Sequence, residues 1–234
     1  MRYLFLPVSL AVSLAATSVL AADRSFDVEG FTEVAVGSGL DVEITQGDKF
    51  EVTAEGTPKA LRRLEIDKRG DRLLIERESR GLERFSPLLM AIGDEVKVWV
   101  TLPEFAAVEA AAGSDVEARG SASDAFVAVA SSGADLTLTG IDAEVVTLEA
   151  SSGAGLEAEG RCDALGAEAG SGANLDARGL TCARASVRAS SGADIDVTAE
   201  DVRAVASSGA DVDVWGAKTV EADESSGGDV SLHR

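Results

Sequence analysis

The sequence predicts an all-β solenoid: a parallel β-helix with about 17–20 residues per coil. Three observations carry this. A short segment recurs, as Ser131-Ser132-Gly133-Ala134-Asp135, Ser151-Ser152-Gly153-Ala154-Gly155, Gly170-Ser171-Gly172-Ala173-Asn174, Ser190-Ser191-Gly192-Ala193-Asp194, Ser207-Ser208-Gly209-Ala210-Asp211 and Ser225-Ser226-Gly227-Gly228-Asp229. Ala111-Ala112-Gly113-Ser114-Asp115 is a looser copy. The aligned glycines step by 20, 20, 19, 20, 17 and 18 residues, and a period in this range marks a solenoid. Between the copies, apolar residues alternate with polar ones: Leu136 and Leu138 in one run, Val146, Leu148 and Ala150 in the next. Period 2 is the mark of a strand with one buried face. Gly133 and Gly140 punctuate the runs, where corners need positive φ. Each coil therefore reads strand, corner, strand, corner. Stacking at about 4.8 Å pairs each strand with its equivalents above and below, and a lone coil could bury nothing.

The chain opens with Arg2 and an apolar run, Leu4–Leu20, ending in Val19-Leu20-Ala21. This reads as a signal peptide, residues 1–21, cut after Ala21 or else Ala22; an uncleaved anchor is the alternative. No second long apolar run follows, so no transmembrane segment is expected in the mature chain. Residues 22–234 form a single expected domain, with a less regular part over 31–103 and regular coils over 104–234.

Over 31–103, residues 31–56 are strand-like. Residues 57–64 suggest one short helix, with Thr57 as N-cap and Pro58 in the first turn. Strands resume at Leu64–Ile66 and Leu73–Ile75 around the turn Arg69-Gly70-Asp71, read as a hairpin turn rather than an adhesion signal. Val96, Val98 and Val100 form a strand stopped by Pro103. Residues 80–93 break the alternation. There Phe85, Leu88, Leu89, Met90 and Ile92 crowd together beside Pro87, as a cap over the end of the helix or as an interaction patch.

The order of the strand GSGLDVEI (37–44), a short helix, the strands LLIERE (73–78) and VKVWVTLPEF (96–105), and then tandem SSGAD coils resembles the head GIN domain family, named as the head of autotransporter adhesins and without an established function. The resemblance spans roughly residues 31–232. It implies a right-handed parallel β-helix in a secreted or envelope protein and brings no catalytic residues with it.

Composition narrows the chemistry. Beyond residue 21 the chain carries 20 Lys+Arg against 41 Asp+Glu, or −21, because residues 1–21 hold a single arginine. Such a chain repels phosphate backbones, so nucleic acid is excluded as a partner. Aromatics make up 4%, too few for the stacking platforms of sugar clefts, and Trp99 and Trp215 lie far apart in sequence. The lone histidine, His233, can build neither a catalytic triad nor a histidine-rich metal site. The serines of the repeat read as corner formers. Glycine spacing matches no phosphate-binding loop.

One arrangement has chemical potential. Asp115, Asp135, Asp194, Asp211 and Asp229 share one outward repeat position, interrupted by Gly155 and Asn174. Stacked carboxylates repel, and a Ca²⁺ ion could relieve them; alternatively each accepts N–H groups of its own corner as an Asx-turn. Inward positions before the SSG corner are small throughout: Ala130, Ala150, Ala169, Ala189 and Ala206. Cys162 and Cys182 each lie ten residues before a repeat glycine and are expected to stack, as a disulfide or as paired buried thiols.

The reading favoured by these residues is an exported, non-enzymatic β-helix of the bacterial cell envelope, in the periplasm or at the surface, that binds a protein or envelope partner and needs no cofactor. A Ca²⁺-dependent module using the aspartate ladder and a carbohydrate-active β-helix enzyme are the alternatives.

Overall fold

The computed structural model describes residues 22–78 and 95–233. The signal-peptide reading of residues 1–21 and the patch of Phe85, Leu88, Leu89, Met90 and Ile92 lie outside the described residues.

The chain is a stack of parallel coils. Five long strands follow one another in register: β9 (Asp115–Ala130), β10 (Asp135–Ser151), β11 (Gly155–Gly170), β12 (Asn174–Ser190) and β13 (Asp194–Ser207). The stack continues into β14 (Asp211–Trp215), β15 (Thr219–Ser225) and β16 (Asp229–His233). Each pairs in parallel with the equivalent residues of its neighbour, so Leu136 sits on Leu156, and Leu148 between Ala128 and Ala167.

The corner follows from the repeat. Ser132 and Gly133 both take positive φ, 55° and 68°, and the Ala134 N–H bonds Ser131 O at 3.2 Å. Two successive left-handed residues closed by that bond turn the chain through the corner in the manner of a type I′ turn. A side chain in that region costs about 1–2 kcal/mol, and glycine avoids it at the second position. The Gly133 N–H then bonds Ser152 O of the next coil, which locks corner to corner.

Each coil has three faces rather than the expected two. In β10 the inward residues are Leu136 and Leu138, then Ile141 and Ala143, then Val146, Leu148 and Ala150. Gly140 marks the first change of direction. The second falls at Glu144-Val145, where two consecutive residues point outward and Glu144 drops out of the pairing. No positive φ is needed there, so no glycine betrays it. The alternation switches parity instead.

Among the described residues the interior is apolar except for the buried Ser114 and Ser121, and its SSG edge is narrow. Ala110, Ala130, Ala150, Ala169, Ala189 and Ala206 stack in line, each no more than 5% exposed. Larger side chains fill the rest, with Phe105 against Phe126 edge-to-face at 5.2 Å.

The N-terminal part caps this stack by a different pattern. β2 (Glu33–Val36) and β3 (Asp41–Gln46) pair in parallel with the coil strands β8 (Ala107–Ala110) and β9. Beyond β3 lie β7 (Val96–Leu102), then β4 (Glu51–Gly56) and β1 (Ala22–Phe26), the last two joined by antiparallel pairing. Beyond β2 lie β6 (Arg72–Arg77) and β5 (Leu64–Arg69), an antiparallel hairpin turned at Gly70-Asp71, so the RGD segment is a hairpin turn. The helix α1 is shorter than expected, Pro58–Leu61, with the Thr57 hydroxyl accepting the Ala60 N–H at 3.2 Å. It buries Ala60 and Leu61.

Candidate functional site: an acidic sheet face

The strand that follows each SSG corner presents alternate residues to solvent, so positions two apart share a face. Register sets the first of these in a single column: Asp41, Asp115, Asp135, Gly155, Asn174, Asp194, Asp211, Asp229. The five aspartates read from the repeat are thus aligned, and Asp41 extends their row at the N-terminal end. Its signal was the GSGLD echo of the repeat at residues 37–41.

A second column runs beside the first, two residues on. It holds Glu43, Glu117, Thr137, Glu157, Asp176, Asp196, Asp213 and Ser231. Sequence reasoning missed this column because its members vary between Glu, Asp, Thr and Ser, whereas the first column rides on the conspicuous SSG. The two columns make one flat, strongly acidic face, with neighbouring rows about 4.8 Å apart.

The electrostatics show the strain of that crowding. Burial raises the Asp196 carboxyl above 3.8, and Asp176, Asp213 and Asp194 push it the same way against the pull of Arg178. Burial raises Asp41 too, with Lys97 opposing and Asp115 and Glu43 adding to it. Relief comes only locally. Lys97 hydrogen-bonds Glu43 and holds it below its ordinary value. Arg178 pairs with Asp176 and lowers it; the Arg178 N–H also bonds Asp176 Oδ1 at 3.0 Å. The Asx-turn is therefore found at Asp176. At the SSG corner itself the closing bond runs from backbone N–H to backbone C=O.

Aromatic groups stand at the two ends of this face. Trp99 lies in line with Glu43, with the Lys97 ammonium 5.8 Å from its ring. At the far end Trp215 stacks on His233 at 4.4 Å, with the Arg178 guanidinium 5.6 Å from the indole. His233 Nε2 meets Asp213 Oδ1 at 2.6 Å, which ties the last strand to the face. Among the described residues no three His, Cys, Asp or Glu side chains gather closely enough to hold a metal ion. Cys162 and Cys182 are joined as a disulfide inside the coil, away from this face.

Comparison with known proteins fits this architecture. A solved "putative adhesin" from Bacteroides fragilis NCTC 9343 superposes with a TM-score of 0.81 at 12% identity, covering 92% of this chain and 98% of its own. Another "putative adhesin", from Parabacteroides merdae ATCC 43184, gives 0.69 at 12% identity over 92% and 96%. A "putative lipid binding protein" from Parabacteroides distasonis ATCC 8503 gives 0.66 at 12% identity over 92% and 97%. At such identities the likeness is one of fold. No curated protein matches the chain. No helix among the described residues is long and apolar enough to cross a membrane. The family model described as "Putative auto-transporter adhesin, head GIN domain" matches residues 30–217, and the chain belongs to that family.

Proposed function

We propose that the protein is an exported, non-enzymatic binding module of the bacterial cell envelope, and that it docks a cationic partner on its acidic face. The signal-peptide pattern of residues 1–21 supports export, and the adhesin descriptions of the family and its structural neighbours support binding over catalysis. The observation that carries the docking reading is the pair of aligned carboxylate columns. A flat row of like charges with raised Asp41 and Asp196 is a surface whose repulsion a partner's cations would relieve.

The test is calorimetric titration with a lysine-rich peptide at two salt concentrations, on the parent and on an Asp194→Asn, Asp196→Asn, Asp213→Asn variant. Binding that weakens with salt and falls at least tenfold in the variant supports the reading. Equal binding by both proteins, or none by the parent, sinks it.

A second reading, Ca²⁺ bound along the ladder of Asp115, Asp135, Asp194, Asp211 and Asp229, rests on their alignment in one column. Titration of the parent with CaCl₂ separates the two, since a Ca²⁺ module binds the ion without peptide. Incubation with envelope polysaccharides and assay for new sugar ends tests the carbohydrate-enzyme alternative.

A further inference from the structure

Among the described residues the solenoid presents two ends, each with two strand edges that are paired on one side. At the N-terminal end, among the described strands, β1 pairs only with β4, and β5 only with β6. At the C-terminal end β16 pairs only with β14, and β15 only with β13. Such edges are templates for pairing, and proteins that remain apart blunt them with inward-pointing charges. Both ends of this chain carry inward-pointing charges, and they are of opposite sign.

At the C-terminal end the position is Glu224. The alanine column of the SSG edge runs to Ala206, and the residue paired next in that line is Glu224. Its carboxylate bends over the last corner and accepts the Val230 N–H at 3.0 Å. β15 and β16 also carry Glu221, Asp223 and Asp229, and neither contains lysine or arginine. Between these charges the end of the core is open: Val220 and Val230 are only partly covered, and Leu232 is 61% exposed.

At the N-terminal end the inward positions are Arg24 and Lys68. Arg24 pairs with the buried Ala54, and its guanidinium reaches Leu61 O at 3.1 Å over the Phe26 ring. Lys68 pairs with the buried Leu73. Phe26 and Ile66 are partly covered apolar side chains in the same two strands. Over β1, α1, β5 and the turn between the last two stand Arg24, Lys59, Arg62, Arg63, Lys68 and Arg69 against Asp23, Glu65 and Asp67. This end is basic in a chain that is otherwise acidic.

The edges also correspond. β1 and β16 end the column of strands that follow the SSG corner, and β5 and β15 end the column that precedes it. We propose that the two ends form an interaction surface for a second copy of this chain, which adds head to tail, the acidic C-terminal end on the basic N-terminal end. Two like ends cannot meet, because Glu224 would face Glu224 and Lys68 would face Lys68 with both desolvated. Unlike ends place the carboxylate against the cations and join apolar rims. A heterologous contact of this kind propagates in one direction.

Zero-length carbodiimide coupling of the full chain, read by mass spectrometry, tests the contact. Within one molecule Lys68 and Glu224 are separated by nine strand spacings, about 43 Å, so a Lys68–Glu224 amide can form only between copies. That crosslink, rising with protein concentration and suppressed at about 0.5 M salt, is the expected result. Sedimentation velocity adds a charge swap. A Glu224→Lys variant and an Arg24→Glu, Lys68→Glu variant should each sediment as monomer alone and co-assemble when mixed, because each then offers the other matched ends. If either variant misfolds by circular dichroism, the parent's crosslink and its salt dependence decide. A parent chain that stays monomeric at about 20 mM salt without that crosslink overturns the proposal, as does association unaffected by salt.

Discussion

Cys162 lies directly against Cys182 in the next coil: the two are register partners with Cα atoms 4.6 Å apart, and a disulfide joins them through the core side of the middle face. The bond closes a 20-residue loop, which is one whole coil. By restricting the unfolded chain it should contribute about 3 kcal/mol. Replacing both cysteines by alanine is expected to lower the free energy of unfolding by roughly 2–4 kcal/mol in urea titration. Loss confined to coils 155–190, seen as faster amide exchange there, is expected to accompany it.

Gly160 is the tightest point of the coil stack. It has φ +142°, and a Cβ there would stand 2.1 Å from Ile141 O and 2.7 Å from Ile141 N. Both are backbone atoms and cannot swing aside. Gly160→Ala should destabilise by more than about 3 kcal/mol. Gly133, with φ +68° and open space around its would-be Cβ, is the control: Gly133→Ala should cost only about 1–2 kcal/mol, the conformational term alone. Equal melting temperatures for the two variants would contradict the packing described for β11.

Ala150 sits in the narrow edge between Ala130 and Ala169. Ala150→Leu adds a branched side chain where its neighbours leave room for a methyl group. A loss of about 1–3 kcal/mol is expected from thermal or denaturant melts. A variant as stable as the parent would mean that the edge is wider than the stacked alanines imply.

These two sites show what was legible in the sequence. Glycines at the SSG corner and the alanine column announce themselves, because positive φ and a narrow edge each admit few residue types. The Glu144-Val145 corner does not, because ordinary backbone angles make it and any outward pair will serve. Its trace was the shift of inward residues from odd, at Ile141 and Ala143, to even, at Val146 and Leu148. The antiparallel pairing of β4 with β1 and β7 was equally silent, since alternation looks the same in either strand direction, whereas that of β5 with β6 was announced by the turn at Arg69-Gly70-Asp71. Of the acidic face, the column tied to the repeat was readable, and the column from Glu43 to Asp213 emerged only once register fixed it.

Asp196 gives the face a pH signature. Its folded pKa is raised above 3.8, first by burial and then by Asp176 and Asp213. The folded state therefore holds this proton more tightly than the unfolded chain does. Its contribution favours folding below 3.8 and is lost as pH rises through the raised value. Asp196→Asn should accordingly raise the melting temperature at pH 7, with the advantage shrinking as the medium is acidified toward 3.8. Asp176 has the opposite sign, being lowered by Arg178. Arg178→Ala should lower the melting temperature at neutral pH and matter less well below 3.8.

Differences in coil length fall in one place. From β9 to β13, register between coils slips between Leu138 and Ile141, between Glu157 and Glu159, and between Ala177 and Thr181, all at the start of the middle face, and the next step, from β13 to β14 and β15, shifts by one residue between Thr198 and Asp201. The other two faces keep their alignment through every step from β9 to β13. Spare residues are thus taken up like slack at a single hinge line running down the solenoid. Along that line, peptides could be spliced in while the carboxylate rows and the alanine column stay in step, and a surface could diverge without the frame behind it having to be rebuilt.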